Sequence, residues 1–267
     1  MNDAHPNHQI YTIGGLLRGL ALLEALGAAG RPLKLTEIAK QLGTTRGVTY
    51  RLIYTLKEAG YLIEPSEKLY ELSPRILRLG FSYLRSLGLV RLARRHLERL
   101  SDRTQSTVFL AVRDGRDIVY LDKVRAPGRA SLDLDVGDRV PAHATAMGRV
   151  LLSELAPAEF AALYPEKIVP AHGHLAAMPR RELEAELAAA RKKGYALSFS
   201  TLYKGVASVA APIRDREGRI VAAVNCTVLE GVVDRAKLEG PFRQAALESA
   251  AAISSDSGFG GRRSVNR

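Results

Sequence analysis

The sequence has a single cysteine and no long hydrophobic run, and each absence excludes a class of protein. Its 267 residues contain only Cys226, which excludes an internal disulfide framework and a cysteine-based zinc site. No stretch reaches the roughly 18 uncharged apolar residues of a membrane-spanning helix, and the polar first residues do not resemble a secretion signal. The aromatic content of 6% argues against an aromatic-lined binder of single-stranded nucleic acid. We therefore expect a cytoplasmic protein without a membrane partner.

Acidic side chains are also in the minority, because 28 Asp and Glu face 39 Lys and Arg and leave a formal net charge of +11. A basic excess favours a polyanionic partner, since cationic side chains bound to phosphates release counterions. The excess is spread along the chain, with +4 over residues 1–88, +5 over 89–253 and +2 over the remainder. Charge alone therefore does not locate a nucleic-acid site.

The first 60 residues show helical periodicity in three segments. The apolar residues of the first segment recur at helical spacing and predict one buried stripe: Ile13, Leu16, Leu17, Leu20, Leu23 and Leu26. Thr36 is the expected N-cap of a short second helix, which Gly43 ends. Thr44 or Thr45 then caps a third helix that runs to Gly60.

The third helix has the two faces that a helix in the DNA major groove requires, one for packing and one for hydrogen-bond donors. Its inward face is predicted to carry Val48, Leu52 and Leu56. The predicted DNA-contacting residues of this helix and the following hairpin are Thr44, Thr45, Arg46, Thr49, Tyr50, Arg51 and Lys68. A small helical bundle with ordinary surface arginines is the alternative interpretation of the same pattern.

A hairpin and a capped helix follow this segment. Two strand-like runs at 61–63 and 69–72 flank a turn, which makes the arrangement a winged helix-turn-helix. Ser73 and Pro74 provide an N-cap and a proline at the first helical position of a linking helix, which Gly88 ends.

Beyond residue 88 the pattern alternates between helices and strands. A hairpin around Asp114 and Gly115, further strands near 195–199, 207–214 and 220–229, and helices between them predict an antiparallel sheet covered by helices. We predict a DNA-binding domain at 10–72, a linker helix at 73–88, a second domain at 89–253 and a disordered tail at 254–267.

Several blocks resemble one family of bacterial regulators. The runs LTEIAKQLG at 35–43, VTYRLIYTL at 48–56 and GYL at 60–62 resemble the winged helix-turn-helix of the IclR family. VGDRVPAHATAMGRVLL at 136–152, KGYA at 193–196 and VAAPIRD at 209–215 resemble the later blocks of that family in the same order.

The resemblance covers roughly residues 12–253 and implies an α+β architecture, in which the second domain is a GAF/PAS-like α/β effector-binding domain with a central antiparallel sheet. LSPRILRLGFSYL at 72–84 and TAMG at 145–148 further resemble the branch that controls β-ketoadipate pathway genes, whose members respond to aromatic acids such as protocatechuate or 4-hydroxybenzoate.

The resemblance also implies where an effector binds. Carried over block by block, the family's contacts fall on Ala146, Met147, Ser198, Ser208, Asn225 and Thr227. Ser198 replaces an aspartate of several relatives and Asn225 replaces a small hydroxyl residue, so we expect the site to suit an anionic effector. Cys226 should point to the opposite face of its strand from Asn225 and Thr227.

Two further residues are candidates on chemical grounds. Arg139 is a candidate clamp for a carboxylate, with a loop or subunit-interface salt bridge as the alternative. His143 begins a predicted helix whose free N–H groups favour an anion, with a hydrogen-bonded packing role as the alternative.

The sequence contains few patterns that indicate catalysis. There is no Gly-x-Ser-x-Gly elbow, phosphate-binding loop or dinucleotide fingerprint, although a dispersed Ser-His-Asp triad stays open as an alternative. His172 and His174 with Glu166 have a weak metal-binding spacing, and solvated surface histidines are the alternative.

We expect no metal, no cofactor and no enzymatic activity, and retain an enzyme of small organic acids or a ligand-binding module without DNA binding as alternatives. The expected partners are double-stranded promoter DNA, a small organic acid and further copies of the chain, since relatives bind as dimers or tetramers and two heads read two half-sites.

Overall fold

The protein, studied here as a computed structural model, is described over residues 11–126 and 134–259. The chain divides into two compact units, residues 1–86 and 87–267. Within the described ranges no helix is long and apolar enough to cross a membrane.

The N-terminal unit is the predicted winged helix-turn-helix. Its elements before the linking helix are α1 (Gly14–Ala29), β1 (Leu33–Lys34), α2 (Leu35–Leu42), α3 (Arg46–Glu58), β2 (Leu62–Ser66) and β3 (Leu69–Leu72). The three strands form an antiparallel sheet in the order β1-β3-β2. A small core joins all these elements and contains Leu22, Leu26, Leu33, Ile38, Ile53, Leu62 and Tyr70.

Helix α1 departs from its predicted packing. Leu22 and Leu26 are buried, but Ile13, Leu16, Leu17 and Leu20 are about half exposed or more. The prediction of one buried stripe is therefore wrong for the first half of the helix. Periodicity identifies residues that share a face, but among the described residues of this unit no element covers that part of the face.

Helix α2 begins two residues earlier than a Thr36 cap would allow. Lys34 precedes its first residue, and the Lys34 amide donates to the Glu37 carboxylate at 2.8 Å. This acidic residue in the first turn replaces the predicted Thr36 cap, which is wrong. Gly43 ends the helix in a left-handed conformation, as predicted.

Helix α4 (Ile76–Leu87) follows the hairpin. The Ser73 hydroxyl accepts a hydrogen bond from the Arg75 amide at 3.1 Å and donates to the Gly60 carbonyl. Ser73 thus closes the turn before this helix and bonds it to the end of the helix-turn-helix. Because the helix begins at Ile76, the predicted start with Ser73 as N-cap and Pro74 as the first helical residue is two residues too early. Gly88, at φ +61°, ends the helix.

The C-terminal unit is the predicted helix-covered antiparallel sheet. Its elements are α5 (Leu89–Thr104), β4 (Thr107–Asp114), β5 (Asp117–Val124), β6 (Arg139–Pro141), α6 (Ala146–Leu152), α7 (Pro157–Leu163), β7 (Ile168–Val169), β8 (Met178–Pro179), α8 (Arg180–Lys193), β9 (Ala196–Phe199), β10 (Val206–Arg214), β11 (Ile220–Leu229), α9 (Arg235–Lys237) and α10 (Arg243–Asp256). Six strands pair antiparallel in the order β6-β5-β4-β11-β10-β9, while β7 and β8 form a separate short ribbon.

Helices cover both faces of the six-stranded sheet. Helices α5 and α10 pack together on one face, and α6 lies across the central strands on the other. Cys226 on β11 is buried on the face opposite to Asn225 and Thr227, as the strand period predicts. Burial raises the pKa of its thiol to about 12.

The end of α10 corrects the predicted disordered tail. This helix continues to Asp256, and Ser254 is buried. The Ser254 hydroxyl accepts from the Arg214 amide at 2.9 Å and donates to the Ala250 carbonyl at 2.6 Å. Because the serine is bonded to a strand, the tail prediction is wrong for its first residues; residues 260–267 lie outside the described part.

The C-terminal core depends on a close approach at Gly148. All seven residues of α6 are buried, and the preceding 3-10 turn at Ala142–Ala144 packs against this helix. A Cβ atom at Gly148 would overlap the backbone of Ala142. Glycine is therefore required here for packing.

We predict that Gly148→Ala lowers the free energy of unfolding by about 1–3 kcal/mol, because backbone atoms of Ala142 must move to admit a methyl group. Gly47→Ala is the matched control, since a Cβ there would meet no atom within 4 Å in helix α3. It should stabilise the protein by roughly 0.5–1 kcal/mol. Urea unfolding followed by circular dichroism measures both, and equal midpoints for the two variants would contradict the packing argument.

Candidate functional site

In the N-terminal unit, side-chain hydrogen bonds fix the rotation of α3. The Thr45 hydroxyl accepts from the Val48 amide at 3.3 Å and caps the helix. The Thr49 hydroxyl is bonded to the Thr45 carbonyl at 3.0 Å and to the Thr44 hydroxyl at 2.8 Å. Together with Ile53, Thr49 forms the fully buried face of the helix.

This rotation corrects one predicted DNA contact. Thr49 is fully buried and cannot face a ligand, so its predicted outward position is wrong. Val48, in contrast, is only half-buried. The hydroxyl of a threonine can hydrogen-bond to a carbonyl one turn earlier in the same helix. Thr49 can therefore be buried at the inward position that the apolar pattern predicted for Val48.

The outward face of α3 carries the remaining predicted contacts. Arg46, Tyr50 and Arg51 are exposed, as is Thr45 at the N-cap, while Thr44 is half-buried. Tyr54 is exposed one turn beyond Tyr50, and it was not among the predicted DNA contacts. Its spacing of four residues from Tyr50 was the available signal.

Lys68 lies at the tip of the hairpin. Its backbone is left-handed, at φ +61°, and its amide donates to the Glu64 carboxylate at 2.8 Å. Its exposed ammonium lies 3.0 Å from the equally exposed Glu67 carboxylate. A surface pair of this kind contributes little to stability, so the ammonium is available to another anion.

The C-terminal unit contains a small cavity between α6 and the sheet. It is lined by Phe109, Tyr120, Leu134, Ala144, Thr145, Met147, Ser198, Thr201, Leu202, Tyr203, Val206, Ser208, Asn225 and Thr227. Its free space of about 30 Å³ is close to the room that one water needs. The Thr201 hydroxyl donates to the Ala144 carbonyl at 2.8 Å and fastens the outer wall to the turn before α6.

The sheet side of the cavity is polar. Ser198, Ser208 and Thr227 occupy one row of the antiparallel register, and Asn225 lies on the same face two residues from Thr227. The two serine hydroxyls are 2.9 Å apart, and the Asn225 amide nitrogen donates to the Thr227 hydroxyl at 2.9 Å. The Asn225 carbonyl oxygen accepts from the Phe109 amide at 3.1 Å. These residues carry no formal charge, but they offer hydrogen bonds to a ligand.

Five of the eight predicted effector residues line this cavity, namely Met147, Ser198, Ser208, Asn225 and Thr227. Ala146 is buried in the neighbouring core instead. The aromatic walls formed by Phe109 and Tyr120, whose ring centroids are 4.9 Å apart, were missed. They lie on β4 and β5, for which the resemblance supplied no contacts.

Arg139 does not line the cavity. Its guanidinium pairs with Asp114 and, at 3.2 Å, with Asp117, across the turn of the β4–β5 hairpin. The hydrogen bond to Asp114 raises the pKa of this guanidinium. These contacts support the loop salt bridge, the alternative to the predicted carboxylate clamp, for which Arg139 lies outside the cavity wall.

His143 is also outside the cavity wall. It is buried, its ring meets Tyr164 edge-on at a centroid distance of 6.1 Å, and burial lowers its pKa. The short α6 that follows is capped by the Thr145 hydroxyl, which accepts from the Gly148 amide at 2.9 Å. These contacts support the packing alternative for His143, although its buried Nε2 has no hydrogen-bond partner among the described residues, and its anion-binding role stays a prediction.

The weak metal pattern does not assemble. Glu166 pairs with Arg116, which also lies over the Tyr164 ring. Among the described residues, no three His, Cys, Asp or Glu side chains are grouped so that they could hold a metal ion.

Comparison with known proteins gives matches over both units. Residues 15–64 match the family described as "IclR helix-turn-helix domain", and residues 81–255 match "Bacterial transcriptional regulator IclR C-terminal". The chain is 32% identical over 243 residues to the HTH-type transcriptional regulator XynR of Escherichia coli, covering 91% of this chain and 96% of the relative.

Two further comparisons concern aromatic compounds. The chain is 33% identical over 239 residues to the p-hydroxybenzoate hydroxylase transcriptional activator of Acinetobacter baylyi, covering 83% of this chain and 84% of the relative. It shares its fold, at a TM-score of 0.79 and 22% identity, with an IclR homolog of Microbacterium hydrocarbonoxydans crystallised with 4-hydroxybenzoate. This alignment covers 91% of this chain and 99% of that structure.

Proposed function

The chain belongs to the IclR family of bacterial transcriptional regulators, and from that premise we propose that α3 reads promoter DNA under the control of a small aromatic acid bound in the cavity beside α6. Proteins of this family bind promoter DNA and small-molecule effectors, and the relatives are regulators and not enzymes. The observation that carries the proposal is the occurrence of both sites, each on its own compact unit.

The DNA-contacting set consists of Thr44, Thr45, Arg46, Tyr50, Arg51 and, from the hairpin, Lys68. Arg46 and Arg51 are exposed on α3, where guanidinium groups can bond phosphates or the O6 and N7 atoms of guanine. Thr45 stays in the set although it caps the helix, because an N-cap residue lies where phosphates approach a recognition helix. A regulator of promoter DNA acts where that DNA is, so the cytoplasm is its proposed location.

The effector set consists of Met147, Ser198, Ser208, Asn225 and Thr227. Aromatic walls at Phe109 and Tyr120 face uncharged hydrogen-bonding groups, a combination that suits a hydroxylated aromatic ring. The relative named for p-hydroxybenzoate hydroxylase and the homolog crystallised with 4-hydroxybenzoate support this class and the β-ketoadipate branch. The effector controls DNA binding if its affinity differs between the states that bind DNA well and poorly.

We also propose that the regulator acts as a homodimer or as a homotetramer built from dimers. Exposed apolar side chains occupy two helices of the N-terminal unit: Ile13, Leu16, Leu17 and Leu20 near α1, and Leu77, Leu79 and Phe81 on α4. A second copy is the fitting occupant, since one winged helix reads only a short half-site and two heads are needed for specificity. The proposed boundaries are 10–72, 73–88 and a second domain from 89 that extends beyond the predicted end at 253, because α10 continues to Asp256.

Arg46→Ala and Arg51→Ala should each weaken binding to an operator selected from random-sequence DNA by about tenfold, because each removes a contact worth about 1–3 kcal/mol. Loss of a phosphate contact should also reduce the slope of log affinity against log salt by about 1. Lys57→Ala is the control, since Lys57 at the other end of α3 pairs with Glu64. Fluorescence anisotropy measures these affinities; a loss for Lys57→Ala equal to that of the arginine variants would contradict the assignment.

Ser208→Leu and Asn225→Leu should weaken binding of 4-hydroxybenzoate by about tenfold or more, because each removes a hydrogen-bonding group and fills the narrow cavity. Arg139→Ala should leave the affinity unchanged, since Arg139 lies outside the cavity wall. Isothermal titration calorimetry on the full chain provides the measurement. If both leucine variants bind like the wild type, the effector does not occupy this cavity.

Leu17→Glu and Leu20→Glu should convert the oligomer into a smaller species in sedimentation velocity, since a charge cannot be buried unpaired in an apolar interface. Thr36→Glu, which changes an exposed residue of α2, is the control and should leave the sedimentation coefficient unchanged. Wild-type sedimentation by both leucine variants would show that subunits associate through another surface.

A further inference from the structure

A buried lysine lies directly behind one end of the cavity. Lys123 on β5 pairs in register with Phe109 on β4, which pairs with Asn225 on β11. The three side chains therefore share the cavity face of the sheet. The Lys123 side chain is only 6% exposed. A buried ammonium requires counter-charge or hydrogen bonds, because its removal from water is costly.

The partners of Lys123 connect it to the cavity wall. Its ammonium donates to the Leu134 carbonyl and lies 3.0 Å from the Asp135 carboxylate. It also lies 5.7 Å from the centroid of the Phe109 ring. Leu134 and Phe109 both line the cavity. The ammonium is thus one side chain away from the space that a ligand would occupy.

Asp135, one of the partners of Lys123, is readily exchanged. The Asp135 side chain is 67% exposed, so it can return to water at little cost. The hydrogen bond from Lys123 lowers the pKa of this carboxyl, with a smaller contribution from Arg125. Asp135 is therefore a carboxylate that already occupies the place of a ligand's carboxylate.

Other cations near the sheet do not compete for this role. None of the described residues that line the cavity carries a charge. Arg139 is bound to the β4–β5 turn, and Arg149 donates to the carbonyls of His143 and Leu197 beside Glu186. Arg125 also pairs with Asp135, but its side chain is 60% exposed.

We propose that Lys123 binds the carboxylate of the effector in exchange for Asp135, while the hydroxyl and amide groups around Asn225 bind the other end of the same molecule. This role rests on the proposed effector site, and it adds the requirement that the effector carries a carboxylate. Asn225 and Lys123 are two strand spacings apart, or roughly 10 Å. A para-substituted aromatic ring with a hydrogen-bonding group at each end spans a gap of this size, and Phe109 lies between the two ends.

The test compares 4-hydroxybenzoate with its neutral amide, 4-hydroxybenzamide, by calorimetry on the full chain. Lys123→Met should weaken binding of the acid at least tenfold and change binding of the amide less than threefold. Lys123→Arg should retain the preference for the acid. Asp135→Asn should tighten binding of the acid severalfold, because the competing carboxylate is gone. Arg125→Met, which removes the exposed cation beside the same aspartate, should leave both affinities unchanged.

The outcomes separate this proposal from its premise. Equal losses for acid and amide in Lys123→Met, or no loss for either, would overturn the role of Lys123 while leaving the effector site in place. If the wild type binds neither compound, the aromatic-acid site fails and the role of Lys123 fails with it. Thermal melts identify an unfolded Lys123→Met protein, in which case weaker or unchanged acid binding by Asp135→Asn overturns the exchange.

Discussion

The close packing of α6 on the turn before it is the constraint on which the C-terminal unit depends. Gly148 lets this helix approach the backbone of Ala142, and the approach places Met147 over the middle of the sheet. The cavity lies between the start of α6 and the part of the sheet where polar side chains take the place of the apolar side chains of the core. The same contact thus completes the core and forms one wall of the cavity, so an effector bound at the proposed site would act on the packing of this helix.

The N-terminal unit uses hydrogen bonds for a similar purpose. Thr44, Thr45 and Thr49 bond one another and the backbone at the start of α3, and Thr49 is buried by this arrangement. Because the Thr49 hydroxyl faces inward, Arg46 and Tyr50 lie on the outward side of the helix. Orientation of the recognition helix therefore comes from polar contacts within one turn in addition to apolar burial.

Much of the fold follows from local patterns, whereas the site depends on long-range pairing. Strand β11 has the bounds predicted near 220–229, because alternation is a property of neighbouring residues. The exposed half of α1 was not predictable in this way, since a pattern does not say what covers a face. The partners of Arg139 and Lys123 were not predictable for a related reason. Strand register decides which carboxylates each cation meets, and register is not visible in the sequence.

The size of the cavity links effector binding to conformational change. Its free space of about 30 Å³ accommodates about one water, so the proposed aromatic acid would reach both Lys123 and Asn225 only in a more open arrangement than this one. The contacts that hold it closed are few and exchangeable, namely the Thr201 hydroxyl on the Ala144 carbonyl and Lys123 on the segment at 134–135. A ligand that binds only the open state shifts the population toward it by its full affinity for that state. If the proposed effector binds here, the differential affinity that effector control requires would follow from a cavity that is too small for the ligand in this arrangement.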